Sequence, residues 1–157
     1  MSQIDLMQWV RSNIKSLKAY QVENLDEGIK LHANENPYPP SPELLNKISQ
    51  RLKELELNRY PDPDGRNLKT AIANKVGVRT EQIIIGNGSD ELIQYLMQVL
   101  CDEGRTIAFP DPSFSMYGIT AKCLGLNPVS FSLNENWDLE ADSTLEILNK
   151  HKARLVF

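Results

Sequence analysis

A turn containing two glycines is the part of the chain best suited to bind a ligand. This turn, Gly86-Asn87-Gly88-Ser89, follows three isoleucines at 83–85 that predict a short strand buried on both faces. Glycine permits backbone torsions that a Cβ would forbid. Apolar residues then recur at helical spacing through residue 100, so a helix is predicted to begin near Ser89. Residues 86–89 are called the glycine turn below.

The glycine turn suits a phosphate group, although a simpler interpretation is open. A strand, a glycine turn and a helix start direct several free N–H groups at one point, with the positive end of the helix dipole behind them. In the simpler interpretation Asn87 or Ser89 only caps the helix. Asp90 and Glu91 would repel a phosphate unless they turn away. The nucleotide fingerprint G-x-G-x-x-G is matched poorly because Glu91 holds its last glycine position, which disfavours a dinucleotide fold.

A proline-rich segment carries the next group of polar residues. Three prolines at positions 37, 39 and 40 exclude helix and strand pairing, so residues 31–40 are predicted to be extended and stiff. Asn34, Glu35 and Asn36 on this segment could bind a ligand. They could equally belong to a linker whose polar groups face water, and the residues alone favour the linker.

Two aromatic residues lie in loops rich in turn-forming residues. Tyr60 stands between Arg59 and Pro61, and its hydroxyl either projects toward a ligand or lies on the surface. Phe114 follows a Pro-Asp-Pro-Ser sequence at the end of a predicted strand. Its ring could stack on a planar ligand, although a Phe at the start of a helix is more often part of the core.

Helices and strands alternate along the chain and would position these residues. The predicted helices cover 3–18, 42–55, 68–76, 89–100, 114–124 and 143–151, and the predicted strands 83–85, 105–109, 128–133 and 153–157. This order predicts an α/β fold with an open, mostly parallel sheet flanked by helices. Because ligands bind beyond the carboxyl ends of such strands, the glycine turn and the turn at 110–114 are both predicted at that edge.

Two amphipathic helices lie toward the N-terminus. The first, over residues 3–18, is predicted to pack on the outside of the domain or on a partner chain. The second begins with Ser41 as cap and Pro42 as first helical residue. It is predicted to bury a stripe of four residues: Leu44, Ile48, Leu52 and Leu55.

Composition excludes several classes of protein. With 157 residues, 41% of them apolar and 24% charged, the chain suits one soluble globular domain. The net charge of −4 gives no support to a nucleic-acid or membrane partner. Cys101 and Cys123 suit buried thiols in a reducing cytoplasm, and His32 and His151 are too isolated to predict a metal site. Neither a membrane span nor a signal peptide is expected.

Four motifs taken together resemble the histidinol-phosphate aminotransferases, which are pyridoxal-phosphate enzymes of the aspartate aminotransferase fold type. In the order and approximate spacing of that family, they are Asn34-Glu35-Asn36-Pro37, Arg59-Tyr60-Pro61, Gly86-Asn87-Gly88-Ser89-Asp90-Glu91 and Pro112-Ser113-Phe114-Ser115-Met116-Tyr117. The resemblance covers residues 20–157. It implies the N-terminal part of the large domain of that fold: a helical and extended arm at 1–60 and an incomplete cofactor-binding α/β domain at 61–157.

The resemblance also implies roles in binding pyridoxal 5′-phosphate. Gly88 and the backbone amides of Ser89 and Asp90 would hold the cofactor phosphate. Phe114 would stack on the pyridine ring, where many relatives carry Tyr. Tyr60 would reach across a homodimer interface to the cofactor phosphate of the other subunit.

The substrate side of the resemblance is incomplete. Tyr20, Glu35 and Asn36 would line the substrate site. After the strand that matches Leu155-Val156-Phe157, the family supplies an Asn-Pro-x-x-Pro-x-Gly loop, the Asp for the pyridine nitrogen, the Schiff-base Lys and the Arg for the substrate carboxylate. None of these is present, so no catalytic residue is predicted here, and the chain is expected to be an N-terminal portion that is inactive alone.

The implied activity is transamination of histidinol phosphate with 2-oxoglutarate in histidine biosynthesis, by a cytoplasmic homodimer. Two alternatives stay open. A related aromatic-amino-acid aminotransferase or a phosphothreonine decarboxylase would share the glycine turn. A non-catalytic domain that binds a phosphate ligand or a partner would also account for it.

Overall fold

The computed structural model describes residues 5–18, 28–31 and 33–157. These residues form two compact units, one of residues 5–18 and 81–157 and one of residues 28–31 and 33–80. The division into an arm at 1–60 and a cofactor domain at 61–157 stays a prediction. Tyr20 lies outside the described residues.

Six α-helices are found in the described part of the chain. They are α1 (Ser12–Lys15), α2 (Pro42–Glu54), α3 (Arg66–Val76), α4 (Ser89–Leu100), α5 (Met116–Cys123) and α6 (Ala141–His151). Short 3-10 helices occur at Leu6–Trp9 and Thr80–Gln82. None of the described helices is long and apolar enough to cross a membrane.

The first unit is built on a parallel sheet. Its strands are β1 (Thr106–Asp111), β2 (Asn127–Ser132) and β3 (Leu155–Val156), in the order β2-β1-β3. Both pairs are parallel, with Thr106 opposite Asn127 and Ile107 opposite Leu155. Since parallel neighbours require crossover connections, α5 links β1 to β2 and α6 links β2 to β3. The predicted α/β fold with a parallel sheet flanked by helices is confirmed.

The core of the first unit lies where α4 and α5 meet the sheet. Met97 and Ile107 are fully buried, and α4 adds Ile93 one turn before Met97 on the same helix face. Cys101 and Cys123 are free thiols that are half-buried rather than buried, and Cys101 packs against this core. Burial nevertheless raises the pKa of the Cys101 thiol.

The predicted strand at 83–85 is wrong. Residues 83–86 have no regular secondary structure, and Ile84 is 72% exposed. A strand needs a neighbour to satisfy its N–H and C=O groups, and the three strands of the described sheet pair only with one another. The apolar run therefore leads into the glycine turn without joining the sheet.

The predicted helix over 3–18 is also wrong in its described part. The 3-10 helix Leu6–Trp9 and α1 are separated by Val10 and Arg11, whose backbone ψ values of 134° and 142° are not helical. The break allows Asn13 to reach the end of α5, where its Nδ2 donates to the carbonyl of Lys122 at 2.7 Å. The segment therefore packs against α5, on the outside of its own unit.

The second unit contains α2 and α3. The predicted start of α2 is confirmed, because the Ser41 hydroxyl accepts a hydrogen bond from the N–H of Leu44 at 3.2 Å. Gly77, with φ of 74° and ψ of 33°, closes α3 as predicted. The predicted burial of the α2 stripe is wrong. All four of its residues are exposed, since no described element covers them: Leu44, Ile48, Leu52 and Leu55.

Candidate anion-binding site

Gly88 fixes the conformation of the glycine turn. It is the N-cap residue of α4, with φ of 82° and ψ of 174°. This combination lies in a region of backbone space that only glycine occupies without strain. The helix begins at Ser89, as predicted, but no side chain caps it. The simpler interpretation, in which Asn87 or Ser89 caps the helix, is therefore wrong.

The first turn of α4 presents unpaired donors. The N–H of Gly88 donates to the carbonyl of Gly86 at 3.0 Å, and the N–H of Asn87 donates to the Glu91 carboxylate. The N–H groups of Ser89, Asp90 and Glu91 reach no acceptor within the described residues. Because the helix dipole places positive charge at this end, the donors form a site suited to an anion.

The Glu91 side chain folds back over the glycine turn. Its Oε2 accepts the N–H of Asn87, and its Oε1 accepts the hydroxyl of Tyr95 at 2.7 Å. These two hydrogen bonds, the backbone one first, hold the pKa of the Glu91 carboxyl below its usual value. The carboxylate is therefore ionised at neutral pH, with each of its oxygens directed at a donor of the protein.

Phe114 lies just beyond the carboxyl end of the central strand. β1 continues through Pro110 to Asp111, further than the sequence predicted, and a cis peptide bond joins Asp111 to Pro112. Phe114 is 42% exposed, so it is not a core residue. Its ring contacts Tyr117 edge to face, with the centroids 5.7 Å apart.

Tyr117 supports Phe114, a role for which the sequence offered no argument. Its ring stacks on Phe157, which follows β3, at a centroid distance of 4.7 Å and an angle of 12°. The Phe109 ring is a further neighbour, at 6.1 Å. The only sequence feature that pointed to Tyr117 was its place in the same motif as Phe114. Sequence spacing cannot reveal its stacking on Phe157, because Phe157 follows a strand that is distant in the sequence.

Three further predicted site residues, Glu35, Asn36 and Tyr60, belong to the second unit. Tyr60, in the loop before α3, is fully exposed. Glu35 and Asn36 are exposed as well, and the Asn36 Oδ1 accepts the N–H of Tyr38 at 3.0 Å. The glycine turn and Phe114 are both part of the first unit. Within the described residues, no group of three or more His, Cys, Asp or Glu side chains could hold a metal ion.

Comparison with known proteins identifies the family. The model of the aminotransferase class I and II family matches residues 26–157. Histidinol-phosphate aminotransferase from Caldanaerobacter subterraneus subsp. tengcongensis is 36% identical over 148 residues, which are 94% of this chain and 42% of that protein. The Aquifex aeolicus protein of the same name is 38% identical over 143 residues, 91% of this chain and 40% of that protein. The chain thus spans about two-fifths of the length of these curated relatives.

Solved structures show the same fold. Histidinol-phosphate aminotransferase from Sinorhizobium meliloti, in complex with pyridoxal-5′-phosphate, superimposes with a TM-score of 0.71 at 23% identity, over 79% of this chain and 33% of that one. Aspartate aminotransferase from Thermotoga maritima gives a TM-score of 0.68 at 20% identity, over 78% and 35%. The predicted aspartate aminotransferase fold type is therefore confirmed, and this chain belongs to the aminotransferase class I and II family.

Proposed function

We propose that this chain is part of a pyridoxal-phosphate-dependent aminotransferase that acts on histidinol phosphate. The observation that carries the proposal is its 36% identity, over 94% of its length, to a protein named as a histidinol-phosphate aminotransferase. The glycine turn adds independent support, because its unpaired N–H groups match the chemistry of a phosphate.

The first unit would hold the cofactor. The N–H groups of Ser89 and Asp90 would donate to its phosphate oxygens, and Gly88 would allow the backbone to turn beneath them. Phe114, whose ring is partly exposed, would stack on one face of the pyridine ring. When bound, pyridoxal phosphate supplies the electron sink for transamination, while the protein supplies orientation and charge.

Residues between positions 20 and 60 would serve the substrate and the partner subunit. Tyr60, which is fully exposed, would extend its hydroxyl to the cofactor phosphate of the other subunit of a homodimer. Tyr20, Glu35 and Asn36 would line the substrate site. A monomeric mass for the full-length protein in solution would count against the role of Tyr60.

Two finer points belong to the same proposal. The amino acceptor is 2-oxoglutarate, and the reaction takes place in the cytoplasm. Transamination requires a group that transfers a proton, and none of the 157 residues is assigned to this role. No lysine among them matches the Schiff-base position of the family. These residues alone would therefore be inactive.

An absorbance experiment tests the proposal. Full-length protein is titrated with pyridoxal phosphate, and the bound cofactor band is recorded before and after addition of histidinol phosphate. We expect a band that converts to the pyridoxamine form when histidinol phosphate is added. Conversion only with another amino acid would point to a related aminotransferase or decarboxylase, and absence of a bound band would favour a non-catalytic phosphate-ligand domain.

A further inference from the structure

We propose that Glu91 and Tyr95 are positioning residues, which hold the glycine turn in the conformation that presents the N–H groups of Ser89 and Asp90. This inference rests on the proposed function, since the anion to be bound is the cofactor phosphate. Neither side chain is assigned a contact with the phosphate itself.

A path of hydrogen bonds runs from Tyr95 through Glu91 to the loop before α4. Glu91 and Tyr95 are one turn apart on α4, a spacing that brings their side chains together. The Tyr95 hydroxyl donates to Glu91 Oε1 at 2.7 Å, and Glu91 Oε2 accepts the N–H of Asn87 in the preceding turn. The carboxylate thus links the body of the helix to the loop that enters it, much as the glutamate of a capping box does.

The Glu91 carboxylate fills the space above Gly86. A Cβ placed on this glycine would lie 2.9 Å from Glu91 Oε2 and 3.0 Å from Leu92 Cδ2. The folded-back carboxylate therefore occupies the place where a side chain at this position would begin. Gly86, Glu91 and Tyr95 form one interlocking set, and the conformation of the turn depends on all three.

The negative charge of Glu91 is not what would favour phosphate binding. An ionised carboxylate near a phosphate repels it. Glu91 would therefore aid phosphate binding only by holding the glycine turn in place. Both of its oxygens point at protein donors, Asn87 and Tyr95. A glutamine could accept the Asn87 N–H through its carbonyl and donate to the Tyr95 oxygen through its amide. Glutamine should therefore preserve the positioning without the negative charge.

The experiment compares phosphate-dependent with phosphate-independent binding. Glu91→Ala, Glu91→Gln and Tyr95→Phe are made in the full chain. Glu146→Ala is the matched control, an exposed glutamate on α6. The dissociation constant of each variant is measured for pyridoxal phosphate and for pyridoxal, which lacks the phosphate. Hydrogen exchange of the Asn87 amide is measured without any cofactor.

For Glu91→Ala, we expect pyridoxal phosphate to bind about tenfold more weakly and pyridoxal to change less than about twofold. Glu91→Gln should bind both ligands within about threefold of the wild type, and Tyr95→Phe should weaken pyridoxal phosphate by about threefold. Exchange at the Asn87 amide should accelerate in Glu91→Ala and remain slow in Glu91→Gln. Glu146→Ala should match the wild type throughout.

The inference is overturned if Glu91→Ala binds pyridoxal phosphate as the wild type does, or if both ligands weaken equally. Failure of Glu91→Gln to rescue binding would also overturn it. If Glu91→Ala does not fold, Glu91→Gln and Tyr95→Phe still decide the matter. If the wild type binds pyridoxal phosphate and pyridoxal equally well, the proposed phosphate site is refuted instead. Hydrogen exchange of the Asn87 amide would then show whether Glu91 holds the turn.

Discussion

At the scale of single residues, backbone conformation determines what the glycine turn can do. Gly88 has φ of 82° and ψ of 174°, values that cost a residue with a Cβ about 1–3 kcal/mol. The donors that follow it are unpaired within the described residues. The position of the turn and the start of α4 could be predicted from two glycines and an apolar helical pattern. The fold-back of Glu91 could not be predicted, because its place in the first turn did not show whether its carboxylate turns away from a bound phosphate.

Replacing Gly88 with alanine should weaken the site without displacing neighbouring atoms. Nothing lies within 4 Å of a Cβ built at this position, so strain in the backbone is the expected effect. The dissociation constant of pyridoxal phosphate should rise about tenfold or more, measured by absorbance titration. Gly104→Ala is a matched control, since Gly104 has φ of 77° and equally open surroundings. Equal binding by the two variants would contradict the assignment of the phosphate to this turn.

Asp62 should make stability depend on pH. Its carboxylate accepts the N–H of Arg66 at 2.9 Å and that of Asp64 at 3.1 Å, which holds its pKa below the ordinary 3.8. A carboxyl with a lowered folded-state pKa stabilises the protein above its unfolded pKa and loses that effect as pH falls through the folded value. Asp62→Asn should therefore melt below the wild type at pH 7, and the gap should close below about pH 3.8.

Thermal unfolding of both proteins across this pH range tests the Asp62 prediction. Asp138→Asn is a control, because in the described part of the chain Asp138 forms hydrogen bonds through its backbone N–H and C=O and not through its carboxylate. A melting-temperature difference between wild type and Asp62→Asn that stays constant down to the lowest pH would show that the hydrogen bonds do not favour the charged form.

At the scale of elements, the sequence correctly predicted helix ends that are marked by the residues at those ends. Ser41 with Pro42 marks the start of α2, and Gly77 marks the end of α3. Elements that depend on distant partners were not predictable in this way. The isoleucines at 83–85 have strong strand propensity but pair with no described strand. The N-terminal segment breaks at Val10 and Arg11, just before Asn13 contacts α5.

The contact of the N-terminal segment with α5 should contribute measurably to stability. The last carbonyls of a helix have no partner inside it. Asn13 Nδ2 satisfies that of Lys122 at 2.7 Å, and Arg11 reaches that of Cys123 at 3.4 Å. Asn13→Ala should lower the free energy of unfolding by about 1 kcal/mol relative to Asn149→Ala.

Asn149 is an exposed residue of α6, so Asn149→Ala gives the effect of the same substitution on a helix away from this contact. Denaturant unfolding of the two variants therefore tests the hydrogen bonds of Asn13 to the Lys122 and Cys123 carbonyls. Equal unfolding free energies would show that the segment lies on α5 without stabilising it.

At the scale of the whole molecule, apolar pattern and burial disagree. Val99 on α4 is 80% exposed, and the α2 stripe is exposed along its length. An amphipathic pattern shows that a helix face is apolar, but it does not show which element covers that face. The apolar stripe of α2 was identified correctly, but its burial was predicted wrongly. On α4, Ile93 and Met97 are buried because they pack with Ile107 of β1 and Ala121 of α5.

The last prediction concerns the activity of these 157 residues alone. They span about two-fifths of the length of the curated relatives, and the residues proposed above would bind the cofactor phosphate and one ring face without moving a proton. Purified as such, they should give no transamination of histidinol phosphate with 2-oxoglutarate and pyridoxal phosphate present. The full-length protein in the same assay is the positive control. Turnover by the 157 residues would show that they contain a proton-transferring group, and would require a lysine among them to be assigned to it.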